Sequence, residues 1–228
     1  MSNGKQPGGS REVLQSVYVA RTVETEQKKF GSFLKNFGRQ LGSGAAINNI
    51  GSTHLTFLES QSVKPTFYSY GYSHTEVLLF TRGLQRYLDK GGHSRAALRV
   101  CPADLQRPLR WMGSSTKGKL AVDIEPSEQL TDARGRIDEY ILGQFGVAPE
   151  SKGFDPHITI GTVQRDRIDE SARDDPNTLL PSGLLVPHWI TLNGLEVYLG
   201  RIHQQGGSSP SAPLSASAHI AQELAHEA

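Results

Sequence analysis

The sequence predicts an α+β fold built from two similar halves. Runs rich in β-branched residues alternate with long amphipathic runs, and the order strand, long helix, histidine-bearing strand occurs twice, over 13–58 and 119–163. The chain has 228 residues, 36% of them hydrophobic and 21% charged, which suits one large domain or two small lobes sharing a core. We expect a folded domain over 12–203, a disordered N-terminus at 1–11, and a linker and tail, with room for a short helix, at 204–228.

The first half reads as strand, helix, strand. Residues 13–23 are rich in β-branched side chains and predict a strand. Residues 24–41 predict a helix, with Glu24 and Glu26 in its first turn and a glycine-rich stretch after its end. Its apolar stripe has the spacing i, i+3, i+4, i+7 and i+11 and consists of Phe30, Phe33, Leu34, Phe37 and Leu41. Residues 53–60 predict the second strand.

The middle of the chain connects the two halves. Residues 65–74 carry aromatic side chains at alternate positions and predict a loop or an extended ribbon. Residues 75–92 predict a helix that ends in two glycines, and 96–100 predict a short strand. The apolar residues expected to face inward on this helix are Val77, Leu84 and Leu88.

The second half repeats the order of the first. Its elements are a strand at 119–125, a helix at 127–143 and a strand at 157–163. The polar stretch 164–180 predicts a loop or a partly disordered segment. Residues 188–202 predict a hairpin, because Asn193 and Gly194 form a dipeptide that favours tight turns.

Composition excludes several classes of function. The net charge of +1 and the pI of about 7.9 provide no overall positive field for duplex DNA. Cys101 is the sole cysteine, so an internal disulfide and a cysteine-based zinc site are excluded. The polar start of the chain and the lack of a long apolar run predict neither a signal peptide nor a membrane span, and cytoplasm is the expected location. The sequence has no HExxH motif and no phosphate-binding P-loop, so we expect no metal and no cofactor.

Two short motifs share one pattern of His, apolar, Thr, apolar. The first is HLTF at 54–57, the second is HITI at 157–160, and the two histidines are 103 positions apart (157 minus 54). Residues i and i+2 of a strand point to the same face, so each motif presents a histidine and a threonine together. Either histidine alone is more often a packed strand residue, but the pair indicates a catalytic site made of His54, Thr56, His157 and Thr159.

These residue types fit cleavage of a phosphodiester without metal. One imidazole accepts a proton from the nucleophile and the other protonates the leaving oxygen, and histidine can do either near neutral pH. Threonine hydroxyls contact the non-bridging oxygens, where charge develops in the transition state.

The motif pair resembles the two HxTx motifs of the 2H phosphoesterase superfamily. The second motif is preceded by F-x-P at 154–156, and LRWMGSSTKGKLAVDI at 109–124 is similar to the strand–turn–strand before the family's second long helix. The resemblance covers most of residues 13–202. It implies a bilobal fold, with two pseudo-symmetric β/α lobes around a central groove, and metal-independent cleavage at a ribose 2′ or 3′ oxygen.

The resemblance leaves the substrate open. It implies a nucleotide or short single-stranded RNA, with a 2′,5′-oligoadenylate or a 2′,3′-cyclic phosphate as the expected substrates. We expect the protein to be a monomer. A hydrolase of cyclic oligonucleotide immune signals is the alternative enzyme, and a non-catalytic nucleotide or single-stranded RNA-binding module is the alternative from another class. Which histidine is the base and which the acid stays open.

Five further residues are candidates for substrate binding. Tyr68, Tyr70 and Tyr72 share a face if their segment is extended, and could stack on a base. Lys152 and Arg165 flank the second motif and could contact phosphate. The ordinary alternatives are loop packing for the tyrosines and solvated surface charge for the two cations.

Overall fold

The computed structural model describes residues 15–59, 63, 66–67, 69–113, 117–147 and 154–201. The described strands are β1 (Gln15–Val23), β2 (Ala45–Ile47), β3 (His54–Leu58), β4 (Leu98–Val100), β5 (Leu109–Met112), β6 (Lys117–Asp123), β7 (His157–Gln164) and β8 (Ile190–Arg201). The described helices are α1 (Lys28–Leu41), α2 (His74–Lys90), α3 (Glu128–Phe145) and the short α4 (Glu170–Asp174). The predicted disordered N-terminus and C-terminal tail lie outside the described residues.

The strands form one antiparallel sheet that curls into a half-barrel. Its order is β4-β8-β1-β3-β7-β6-β5, and β2 pairs with β7 beside this path. The predicted α+β class is therefore confirmed. The two halves do not have separate sheets, because β3 of the first half pairs directly with β7 of the second.

The predicted repeat is visible in the strand pairing. In the first half, α1 connects β1 to the β2–β3 region, and β1 pairs with β3. In the second half, α3 connects β6 to β7, and these two strands pair with each other. All of these pairs, and the central β3–β7 pair, are antiparallel. The two halves thus share one order of elements, and their histidine-bearing strands β3 and β7 lie side by side.

Capping residues define the helix ends. Ser73 and Glu76 form a capping box at the start of α2, and Ser127 accepts a hydrogen bond from the Leu130 backbone at the start of α3. Gly146 ends α3 with a positive φ of 69°, a backbone conformation that glycine adopts readily. The start predicted for α1 was four residues too early, because residues 24–27 form a turn and no acidic residue lies in the first helical turn.

The core lies between the helices and one face of the sheet. The stripe predicted for α1 is buried apart from Leu41, and the rings of Phe33 and Phe37 stack at 5.7 Å. On the central strands Leu55 and Ile158 are fully buried. Since side chains alternate along a strand, the residues next to them point to the opposite face of the sheet.

Within the described residues 188–201, the predicted hairpin is absent. β8 runs through Asn193 and Gly194 as one strand of 12 residues and pairs with β1 along most of its length. The dipeptide lies where the register with β1 shifts, next to the 91–96 loop. A Cβ on Gly194 would lie 1.8 Å from the Ser94 carbonyl oxygen, so this glycine permits close packing of the loop rather than a turn.

The stretch predicted as a polar loop at 164–180 contains short helical elements instead. It includes α4 and two 3₁₀ turns, and it packs through the buried Ala172, whose carbonyl accepts a hydrogen bond from the Trp111 indole. The Asn177 side chain pairs with the edge of β5, since it accepts from the Leu109 amide at 2.8 Å and donates to the Leu109 carbonyl at 2.9 Å. The segment is polar but ordered, because its hydrogen bonds go to the sheet.

The opposite edge of the sheet has a similar contact. Gln85 of α2 accepts from the Val197 amide at 2.8 Å and donates to the Leu195 carbonyl at 3.5 Å. These two backbone groups belong to β8 beyond the residues that pair with β4. An amide side chain thus occupies the place of a neighbouring strand at each edge.

Gly161 of β7 allows β2 to lie close to the central strands. A Cβ at this position would be 2.5 Å from the Ala46 carbonyl oxygen and 2.9 Å from the Ile47 Cα, and both atoms are backbone. We therefore expect Gly161→Ala to lower the free energy of unfolding by about 1–3 kcal/mol. Gly135→Ala on α3, where a Cβ meets nothing within 4 Å, is the control and should raise stability by about 0.5–1 kcal/mol. Urea denaturation of both variants checks this, and an unchanged midpoint for Gly161→Ala would contradict it.

Candidate functional site

The two HxTx motifs lie on the neighbouring central strands β3 and β7. His54 and Thr56 of β3, and His157 and Thr159 of β7, are half-buried, whereas the apolar residues between them are fully buried. The four polar side chains therefore lie on the face of the sheet that is turned away from the helices. Neither threonine hydroxyl makes a hydrogen bond within the described part of the chain, so both can bind a ligand.

The strand register brings the motifs together. Leu55 pairs with Ile158, and continuing this antiparallel register places His54 opposite Thr159 and Thr56 opposite His157. The two histidines are then diagonal neighbours on one face, where Cα atoms are about 7–8 Å apart. Burial lowers the pKa of His54, and the charge of His157 adds to this lowering, as expected for neighbouring rings.

Both histidine rings have the same kind of backbone partner. Nδ1 of His54 lies 3.1 Å from the Ser52 carbonyl oxygen, and Nδ1 of His157 lies 2.9 Å from the Asp155 carbonyl oxygen. A carbonyl oxygen can only accept, so Nδ1 carries the proton in each ring. In each neutral ring Nε2 is therefore the nitrogen that can accept or donate a proton in a reaction.

A pair of stacked tyrosines lies on the same face, and one of them, Tyr18, adjoins His54. The ring of Tyr18 lies 6.1 Å from the His54 ring and stacks on the ring of Tyr198 at 4.8 Å. Burial raises the pKa of Tyr18 to about 12, so its hydroxyl stays protonated near neutral pH. Sequence reasoning missed both residues, although Tyr18 alternates with Ala20 and Thr22 on a strand that the sequence did predict.

A charged group of three residues adjoins His157. Asp123 of β6 is the direct cross-strand partner of His157. Arg110 of β5 places Nε 2.6 Å from the Asp123 carboxylate and Nη2 2.7 Å from the Asp155 carboxylate. Burial raises the pKa of Asp123, and the charge of Arg110 opposes this effect. We call Arg110, Asp123 and Asp155 the Arg110 cluster; sequence reasoning placed none of the three in the site.

Similar folds are found among solved structures, although no family model and no curated protein matches the sequence. TT0787 of Thermus thermophilus is 14% identical, with 87% of this chain and 96% of that chain covered and a TM-score of 0.50. ATU0111 from Agrobacterium tumefaciens str. C58, a conserved protein of unknown function, is 12% identical, with 87% and 85% covered and a TM-score of 0.51. E. coli LigT complexed with 3′-AMP is 11% identical, with 87% and 96% covered and a TM-score of 0.47.

The chain has a 2H phosphoesterase-like fold. This was the fold that the motif pair predicted. At 11–14% identity the likeness concerns the fold, so the reaction has to be argued from the residues of the site.

The tyrosines predicted to bind a base have packing contacts in this 2H phosphoesterase-like fold. The Tyr70 hydroxyl donates to the Phe145 carbonyl at 2.7 Å, and the Tyr72 ring packs on Phe67 and Phe145. Thr66, Phe67 and Ser69 have helical backbone, so these described residues do not form the extended ribbon that the alternating aromatics suggested. Tyr68 lies outside the described residues. A role of Tyr70 and Tyr72 in substrate binding stays a prediction.

Only one of the two residues predicted to contact phosphate lies within the described residues. Lys152 lies outside the described residues. The Arg165 guanidinium stacks over the Trp111 ring at 5.1 Å and donates to the Arg173 carbonyl at 2.5 Å. Because Trp111 follows Arg110 on β5, its side chain points to the other face of the sheet, away from the Arg110 cluster. A phosphate contact by Arg165 stays a prediction.

The described part of the 2H phosphoesterase-like fold contains neither a metal-ligand cluster nor a membrane-spanning helix. Within the described ranges, no group of three or more His, Cys, Asp or Glu side chains could hold a metal ion. Among the helices of the same ranges, none is long and apolar enough to span a bilayer.

Proposed function

We propose that the protein is a metal-independent phosphodiesterase that cleaves a phosphodiester at a ribose 2′ or 3′ oxygen. The observation that supports the proposal is the β3–β7 register. When the Leu55–Ile158 pairing is continued by one residue on each side, two histidines and two threonines share one face. Two proton-transfer groups a few ångströms on either side of one phosphorus atom are what in-line displacement requires. We propose a 2′,5′-oligoadenylate or a 2′,3′-cyclic phosphate as substrate, bound as a nucleotide or short single-stranded RNA by a monomer.

The surroundings of the histidines favour one assignment of roles. Burial keeps His54 neutral, so its Nε2 accepts the proton of the attacking water or ribose hydroxyl. The new oxygen–phosphorus bond forms as the bond to the leaving ribose oxygen breaks, and that oxygen takes a proton from Nε2 of His157. His157 lies on β7 opposite Asp123 of β6, and with His54 as the base it is the remaining imidazole of the pair that can supply this proton.

The threonines contribute without exchanging protons. With the Leu55–Ile158 register continued, Thr56 lies opposite His157 and Thr159 lies opposite His54, so the threonines occupy the other diagonal of the same four-residue group. Each can donate to a non-bridging phosphate oxygen and stabilise the charge that develops in the transition state.

The burial of His54 predicts the acidic side of the pH profile. His54 must be neutral to act as base, and its pKa is lowered from the ordinary value of 6.5. Activity should therefore persist as the pH falls below 6.5 and decline only when the pH passes through this lowered pKa. We would measure kcat/KM from about pH 4.5 to 9 in excess EDTA. An acidic limb centred above pH 6.5 would contradict the assignment of His54 as base.

A substrate panel tests the activity itself. A 2′,5′-oligoadenylate, a 2′,3′-cyclic mononucleotide, a cyclic dinucleotide and a 3′,5′-linked RNA are each incubated with the protein in EDTA. Cleavage of either of the first two supports the proposal, and cleavage of the cyclic dinucleotide alone would favour a hydrolase of cyclic signals. Binding without turnover of any of the four would make the protein a binding module.

A further inference from the structure

We infer, on the basis of the proposed function, that a cavity beside α2 binds a phosphate group of the substrate other than the one that is cleaved. The cavity has a volume of about 340 Å³ and is lined by α2, the 91–96 loop and β8. Its cationic residues are Arg82 and Arg86 of α2 and Arg95 of the loop, and we call it the arginine cavity. None of its residues belongs to an HxTx motif.

The guanidinium groups of the arginine cavity are available to a ligand. Within the described ranges, Arg82, Arg86 and Arg95 form neither a hydrogen bond nor an ion pair. Arg82 and Arg86 are four positions apart on one helix, where side chains are neighbours and like charges repel. A phosphate between them would remove this repulsion and supply the acceptors that guanidinium groups bind best.

The formal charge of the cavity suits a phosphodiester. Three arginines and the two carboxylates of Asp89 and Glu196 line it, which leaves a net charge of +1 (3 minus 2). Both carboxylates already accept hydrogen bonds, Asp89 from the Gln85 amide at 3.0 Å and Glu196 from the Tyr198 hydroxyl at 2.9 Å. A phosphodiester group has one negative charge and would neutralise the remainder.

A buried hydroxyl adds a further donor. Ser94 lines the cavity, and its Oγ is buried without a hydrogen-bond partner in the part of the chain that the structure describes. Leaving a buried hydroxyl without a partner costs free energy, and folded proteins seldom do so. A phosphate oxygen bound in the cavity can accept this hydrogen bond.

Hydrogen bonds to the sheet and from it hold both walls of the cavity in place. Gln85 joins α2 to two backbone groups of β8. Arg21 of β1 donates to the carbonyls of His93 and Ala96 and so fixes the loop that carries the third arginine. The backbone positions of the cationic residues are therefore set before a ligand arrives, which reduces the entropic cost of binding.

The cavity adjoins the open face that carries the motifs. Glu196 lines the cavity and pairs with Ala20 of β1, which pairs in turn with Thr56 of β3. Glu196 and Thr56 thus lie in one row across the sheet, with their Cα atoms two strand spacings, or about 10 Å, apart. An oligonucleotide cleaved at the HxTx residues can place a neighbouring phosphate in the cavity, whereas a cyclic mononucleotide has no second phosphate. The substrate class inferred is therefore an oligonucleotide.

The test compares two ligands in arginine variants of the full chain. The ligands are a 5′-phosphorylated 2′,5′-adenylate trimer and 2′,3′-cyclic AMP, both in EDTA. Calorimetry gives Kd for a ligand that is not cleaved, and kcat/KM replaces it for one that is. Arg82→Gln combined with Arg86→Gln should weaken the preference for the trimer over cyclic AMP by about 10–100-fold, and Arg95→Gln alone by about tenfold.

The matched control combines Lys35→Gln with Arg39→Gln. These two cations have the same spacing on the exposed face of α1, so the control removes the same charge from a helix outside the cavity. An unchanged preference in the α2 variant, or an equal fall in the control, overturns the inference. So does an equal loss for both ligands, because only the trimer has a second phosphate.

Inorganic pyrophosphate separates substrate phosphate from a free phosphate ligand. If the α2 variant loses affinity for pyrophosphate but not for the trimer, the cavity serves a free anion and the inference is wrong. The two proposals also fail separately. If the wild type binds the trimer, cleaves no member of the substrate panel and binds more weakly in the α2 variant, the proposed function is wrong and the phosphate site stands. If turnover is found and the preference is unchanged, the function stands without this site.

Discussion

His54→Ala and His157→Ala each lower turnover by about 10²–10⁴-fold at neutral pH. Each variant removes one of the two proton-transfer groups, and the remaining histidine cannot act as both base and acid in one step. The double variant should lose little more than either single variant, because residues that act as a unit have non-additive effects. The free energy of unfolding should change little, since both rings are only half-buried at the open face.

The control for this experiment is His188→Ala. His188 is exposed next to Trp189 and lies in neither motif. Turnover is measured on the member of the substrate panel that the wild type cleaves best, in EDTA. Retention of more than a tenth of wild-type turnover in both motif variants would show that the histidines do not carry the reaction. If the wild type cleaves no member of the panel and both histidine variants bind the ligand as tightly as the wild type does, the protein is a binding module.

Arg21→Met lowers the free energy of unfolding by about 3 kcal/mol. The Arg21 side chain is 4% exposed and donates to the carbonyls of His93, Ala96 and Asn193 at 2.7–2.9 Å. Methionine retains most of the apolar stem but leaves these carbonyls without their donor. Burial lowers the pKa of Arg21 to about 10, so the guanidinium stays charged throughout the pH range of the assays.

The matched control is Arg39→Met. Arg39 is exposed near the end of α1, and its hydrogen bond to the Asn36 side chain is long, at 3.5 Å, so its loss should change stability by less than about 0.5 kcal/mol. Thermal and urea denaturation of both variants give the comparison. Equal stability of Arg21→Met and wild type would show that the 91–96 loop and β8 do not depend on this contact.

The HxTx residues could be predicted from sequence because their chemistry and spacing are both local. Alternation along a single strand places His54 with Thr56 and His157 with Thr159 without knowledge of the rest of the fold. The pairing of Leu55 with Ile158 could not be predicted in this way, because it depends on which strands are neighbours in the sheet. The sequence indicated that two motifs should meet, and the sheet order determines how.

The Arg110 cluster escaped prediction for the same reason. Arg110 and Asp123 are ordinary charged residues in the sequence, and they come close to each other and to His157 only because β5, β6 and β7 lie side by side. The predicted hairpin was wrong because Asn193 and Gly194 have a strong local turn preference, whereas their tertiary contacts keep the strand continuous. The Asn193 side chain donates to the Thr22 hydroxyl at 2.9 Å, and its carbonyl accepts from Arg21.

The amide side chains at the two edges of the sheet have a consequence for association. A strand from a second molecule that added to β5 or to the free part of β8 would first have to displace Asn177 or Gln85, whose hydrogen bonds already satisfy the groups it needs. Replacing these two side chains with alanine would open both margins to intermolecular β-pairing. Concentrated wild-type protein should therefore resist fibril growth under conditions in which the double alanine variant does not.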